Sequence, residues 1–157
     1  MKALKKWFPL ISLICGVLAL AMIFLPMGSL DFPALGINNK KYEGVKVCFG
    51  DKESNLEFSI LNTLSFVLGL VGGVLAFLGA KNGNKMMKYA AIACFVVAFI
   101  LICAAANLVQ FDSNVPNALA KEMRKEMKPA IGGILAAIFC VLGAASTACD
   151  TFIKDKE

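Results

Sequence analysis

Four long stretches without a single Asp, Glu, Lys or Arg dominate this sequence: residues 7–30, 58–80, 89–111 and 129–149. A helix needs about 20 mostly apolar residues to cross a hydrocarbon core of about 30 Å. Each stretch meets that requirement, and little of the 157-residue chain is left over. Apolar residues make up 59% and charged residues 17% of the chain, against about 45–50% and about 25% in soluble domains. The expected fold is all-α, a four-helix transmembrane bundle forming one membrane domain over residues 1–157. Outer loops fall at 31–57 and 112–128 and an inner turn at 81–88. The first stretch, preceded by Lys2, Lys5 and Lys6, also fits a signal peptide. It is longer than the usual apolar core of about 7–15 residues. Pro26-Met27-Gly28-Ser29 is a poor small-x-small cleavage site. An uncleaved first span is the expectation.

Lys and Arg near span ends set orientation. The 16 cations divide evenly between the two sides. Those at the termini and the 81–88 turn are packed into fewer residues and start before the first span. Most acids, including Asp31, Glu43, Asp51, Glu122 and Glu126, fall on the other side. Both termini are therefore expected in the cytoplasm, in a multi-pass protein of the plasma membrane. The net charge of +5 is read as orientation, not as affinity for nucleic acid.

Asn82-Gly83 is a turn signal that makes spans 2 and 3 a hairpin. In the first outer loop, Val45, Val47 and Phe49 alternate with Lys46 and Cys48, which predicts a short strand. A small hairpin or three-stranded sheet on the bundle fits, and so does an irregular loop. Ser54 and Glu57 have capping-box spacing ahead of span 2. In the second outer loop, Leu119, Met123 and Met127 recur every four residues among charges, predicting a short amphipathic helix. It fits either the headgroup layer, methionines down, or a solvated extension of span 4. Met123 and Met127 are candidate outer contacts for a partner.

Small residues at four-residue spacing let helix backbones approach closely. Gly69 and Gly73 form such a pair in span 2. Gly132, Ala136, Cys140, Ala144 and Ala148 form a longer row in span 4, and Ala90, Cys94 and Ala98 one in span 3. These rows are expected to pack within the bundle, with some surface left for an oligomer or partner helix. Asn62, Asn107 and Gln110 fall near one level at the outer end. They are read either as interhelical hydrogen-bonding groups or as a polar mouth for a solute.

There is no histidine, which removes the commonest general base and metal ligand near neutral pH. Six cysteines are too few for a disulfide scaffold, and no Cys-x-x-Cys occurs. Only Cys48 lies in an outer loop, where it is a candidate for an intermolecular disulfide. No Gly-rich phosphate loop and no intramembrane charge is present. Neither catalytic residues, a metal site nor a cofactor is implied.

The layout resembles small tetraspan membrane proteins of the claudin type: cytoplasmic termini, a large first outer loop, a tight inner turn and a shorter second outer loop. The resemblance spans the chain in architecture and implies a small sheet in the first loop. Claudins carry a tryptophan motif and a cysteine pair in that loop. Here the single tryptophan, Trp7, lies outside it and Cys48 stands alone, so no functional residue carries over. The leading expectation is a non-enzymatic integral membrane protein acting through lateral and outer contacts with itself or another membrane protein. Accessory, adhesion and immunity-type roles all fit. The alternative is a small oligomeric channel or transporter built around Asn62, Asn107 and Gln110.

Overall fold

A computed structural model describes residues 6–153. Helix α1 spans Phe8–Ala21 and continues as a 3-10 turn over Met22–Phe24. Strands β1 (Pro26–Phe32) and β2 (Ile37–Glu43) follow, then a short helix α2 (Gly44–Phe49). Helix α3 runs over Ile60–Lys81 and α4 over Lys85–Cys103. The single turn α5 (Ala105–Leu108), helix α6 (Asn117–Glu126) and strand β3 (Met127–Pro129) lead into α7 (Ile131–Phe152). Among the described residues, three helices, α3, α4 and α7, are long and apolar enough to cross a membrane, with 22, 19 and 22 residues.

Helix α1 packs on α3 and α7, and α4 packs on the same two helices, so the four form a ring. The backbones of α1 and α3 nearly touch. A Cβ added at Gly16 would lie 2.7 Å from Gly69 O and 3.1 Å from Gly73 Cα. The Gly69/Gly73 pair thus faces a third glycine in α1 that has no repeat of its own in the sequence. On α7 the buried small residues are Gly132, Gly133, Ala136, Cys140, Gly143, Ser146 and Thr147, whereas Ala144 and Ala148 are only half-buried. A helix turns every 3.6 residues, so a strict four-residue row drifts by about 40° per step and leaves the face. On α4 the buried positions are Ala91, Phe95, Ala98 and Ile102, and Ala90 of the predicted row is exposed. Phe95 fills the space over Gly143, where an added Cβ would lie 2.6 Å from its ring.

A hydroxyl cluster joins α1 to α7. Thr147 Oγ1 donates to Ser12 Oγ at 3.0 Å, Ser12 Oγ to Phe8 O at 3.1 Å, and Ser146 Oγ to Phe8 O at 2.9 Å. The Thr147–Ser12 and Ser146–Phe8 bonds cross between the helices, where such bonds average about 0.6 kcal/mol each. Near the hairpin end, Lys88 Nζ and Asp150 Oδ2 form an ion pair between α4 and α7.

The other end of the ring carries a cap. Its antiparallel sheet has the order β2-β1-β3. Ser29 pairs with Lys41 on one side and Lys128 on the other. Leu30, Tyr42, Val47, Leu56, Val109 and Met123 form its core. Asp51 is held below its ordinary pKa by the Ser54 hydroxyl, and Lys46 pairs with it at 3.2 Å.

Several sequence expectations need correction. The helix expected over 7–30 stops at Phe24, and Pro26–Phe32 is a strand. A residue before proline is driven out of the helical region. Leu25, at φ −95° and ψ 159°, makes that switch ahead of Pro26. The strand predicted at Val45–Phe49 is instead α2, and the sheet forms from the flanking segments. Helix α4 begins at Lys85 and ends at Cys103, short of the expected 111. Beyond it, the carbonyls of Leu108, Val109 and Gln110 accept hydrogen bonds from Ser59 Oγ, Arg124 Nε and Glu57 N. The backbone there is captured by the cap. The cap of α3 is Ser59, whose hydroxyl accepts from Asn62 N at 3.4 Å, not the Ser54/Glu57 box.

Candidate functional site

The clearest concavity is an apolar groove of about 460 Å³ between α4 and α7, closed above by the cap. One wall is Phe99, Ile102 and Cys103 of α4, continued by Ala106 and Val109. The other is Ile134, Ala137, Ile138 and Val141 of α7. Met27 and Gly28 of β1 and Met127 and Pro129 of β3 form the roof. The volume falls within the roughly 300–1,000 Å³ typical of ligand sites. The groove exists because α4 ends at Cys103 while α7 starts under the sheet. Gly132 and Gly133 bring α7 against β1: their added Cβ atoms would lie 2.7 Å from Pro26 O and 3.2 Å from Met27 O. Small Ala106 and Ala137 then leave the space open.

Arg124 ties the charged surface of α6 to the wall of this groove. Its Nε donates to Val109 O at 2.9 Å, and its guanidinium lies 5.9 Å from the Phe111 ring centroid. Lys121, Lys125 and Lys128 are exposed around it, with Glu122 and Glu126 as the only acids of that segment. Sequence reasoning missed this site. The signal for it lay in the small residues of the second half of the chain, which were read as packing.

The polar cluster does not assemble. Asn62 is 0% exposed, whereas Asn107 and Gln110 are exposed. Both side-chain polar atoms of Asn62 lack a hydrogen-bond partner among the described residues. Replacing an unpaired buried group by an apolar one of similar shape is near neutral or stabilising. Asn62→Leu should therefore leave the thermal midpoint of purified protein unchanged or raise it. A fall of several degrees would show that the amide is bonded.

The candidate outer contacts also change. Met123 of α6 and Met127 of β3 are both buried. Cys48 is 0% exposed, and burial pushes its thiol up to about 11. It therefore offers no surface for an intermolecular disulfide. A bulky maleimide should leave Cys48 unlabelled in folded protein and modify it after denaturation. The fold disfavours the thiolate, so the Cys48 contribution to stability is intact below about pH 9 and lost as pH rises through about 11. A Cys48→Ala variant should lose that part of the alkaline sensitivity in a melting series from pH 8 to 11.

Among the described residues, no three His, Cys, Asp or Glu side chains gather as a metal-binding group. No protein-family model, curated protein or solved structure matches the chain.

Proposed function

We propose that the chain is a non-enzymatic, four-span plasma-membrane protein that works through contacts of its outer cap with another membrane protein or a second copy. The spans are α1, α3, α4 and α7, with both termini and the α3–α4 turn cytoplasmic. Support for embedding comes from the outward faces of all four helices. Ile14, Val17, Leu64, Val71, Val97, Ile100, Ile138 and Val141 are all exposed. Soluble monomers rarely expose contiguous apolar patches beyond a few hundred Å². Exposed aromatic residues sit at both ends: Phe24, Phe49 and Phe58 near the cap, and Trp7, Tyr89 and Phe152 near the hairpin turn. Aromatic belts of this kind lie at membrane interfaces. Helix α1 with its 3-10 turn rises about 27 Å, from about 1.5 Å and about 2.0 Å per residue. That approaches the thickness of the hydrocarbon core.

The single observation that carries a contact role is the free edge of β2. Among the described residues the strand pairs with β1 alone, and Asn38, Asn39, Lys40 and Lys41 are exposed along it. A sheet edge recruits an extended segment by main-chain hydrogen bonds. Lysines there discourage indiscriminate pairing and favour an acidic strand. Accessory, adhesion and immunity-type roles are all compatible with such a surface. A photo-crosslinking amino acid at Asn38 should give one discrete intermolecular product in native membranes, and the same probe at Lys52 should not. Absence of product at Asn38, together with solute flux in vesicles that Asn107→Leu abolishes, would replace this reading with the oligomeric channel.

A further inference from the structure

We infer that the groove between α4 and α7 holds one acyl chain of an anionic phospholipid from the outer leaflet, with the headgroup phosphate drawn to Arg124. The inference rests on the membrane reading above and adds a ligand to it. Depth is the first argument. On α7 the lining runs from Gly133 to Leu142, about 14 Å at 1.5 Å per residue. One leaflet contributes about 15 Å of hydrocarbon. The groove thus starts under the cap and ends near the bilayer midplane, as one lipid tail does.

Shape is the second argument. A helix with its side chains is about 10–12 Å across, so a volume of about 460 Å³ takes roughly one helical turn. A flexible tail fits the same space along its whole depth. Charge is the third. The 117–129 segment above the groove carries Lys121, Arg124, Lys125 and Lys128 against Glu122 and Glu126. Among the described residues, Arg124 has no carboxylate at salt-bridge distance. Its Nε is spent on Val109 O, a groove-lining residue. The remaining guanidinium N–H groups match phosphate oxygens, which arginine binds in a fork.

The test uses the full chain in nanodiscs of phosphatidylglycerol and phosphatidylcholine in equal amounts, followed by native mass spectrometry. Wild type should retain one phospholipid, with phosphatidylglycerol preferred at least fivefold. Ala137→Trp and Cys103→Phe fill the groove from opposite walls, and each should cut the retained fraction at least tenfold. Arg124→Gln should keep a lipid but lose the headgroup preference. Ile11→Trp, on exposed α1 surface, should behave as wild type. Retention unchanged in both filled variants would overturn the inference, as would a second protein chain in place of the lipid. Either result leaves the membrane reading standing. A chain that stays monodisperse without detergent or lipid would sink both.

Discussion

Gly16→Leu should leave no stably folded protein, whereas Gly69→Ala should be nearly silent. The contrast follows from which backbone each glycine meets. A Cβ at position 16 would come 2.7 Å from the Gly69 carbonyl oxygen, and that atom belongs to a helix that cannot yield locally. A Cβ at position 69 meets only Ala19 Cβ at 3.4 Å and Cys140 Sγ at 3.8 Å, both ordinary contacts. Even Gly16→Ala must push α1 off α3, and overpacking of this kind costs about 1–3 kcal/mol. Leucine adds three further carbons to the same collision and separates the helices outright. Dispersion and small-residue contact hold helices together in lipid, where no hydrophobic force brings them together. Loss of the closest crossing therefore has no substitute. Thermal melts in mild detergent should rank wild type and Gly69→Ala together, Gly16→Ala lower, and Gly16→Leu without a transition. A normal melt for Gly16→Leu would disprove the crossing.

The second large effect is expected at the hairpin end. Lys88→Met should cost more than Asp150→Asn, and the double variant should recover most of the loss. Lys88 and Asp150 side chains are 13% and 8% exposed. Removing one partner of a buried pair costs about 3–5 kcal/mol. The lower end applies here, since the pair sits at the end of the helices, beside exposed Tyr89 and Phe152, and not at mid-helix. The two halves are unequal. Lysine has a long apolar stem and can carry its charge to water if left alone. Asp150 has no such reach and would stay buried on α7. A double-mutant cycle of unfolding free energies measures the coupling. Equal losses that add in the double variant would show that the pair contributes nothing.

The three long apolar helices α3, α4 and α7 were legible in the sequence to within a few residues at most ends, because charge-free runs of that length have few other uses. The first helix was overextended, since an apolar strand reads like the end of a long apolar helix. Only the Leu25-Pro26 dipeptide marks the exit. The sheet was foreseen as a class and misplaced as a segment. Val45, Val47 and Phe49 alternate, but in α2 that spacing covers less than two helical turns. The true edge strand, Ile37–Glu43, buries only Tyr42, so it shows no alternation to read. Strand β3 has three residues and exists only through pairing with β1, which is a long-range event. Gly69 and Gly73 were legible because they repeat. Their partner Gly16 was not, because one glycine in one helix carries no pattern. For Asn62, Asn107 and Gln110 the rotation that turns each side chain inward or outward was not legible. That rotation depends on neighbours, and it leaves Asn62 inside and the other two outside. The groove needed tertiary structure altogether, since its walls, roof and the Arg124 anchor come from separate parts of the chain.

The central claim is that α1, α3, α4 and α7 all cross the bilayer with the cap outside. Single-cysteine accessibility in intact cells tests it most directly, with a membrane-impermeant maleimide at Asn39→Cys, Asn82→Cys and Asn117→Cys. These positions are exposed in the cap, in the α3–α4 turn and at the start of α6. Four-span topology requires labelling of positions 39 and 117 from outside, and of position 82 only after permeabilisation. Positions 39 and 82 labelled from the same side would mean that α3 does not cross, and would contradict the claim.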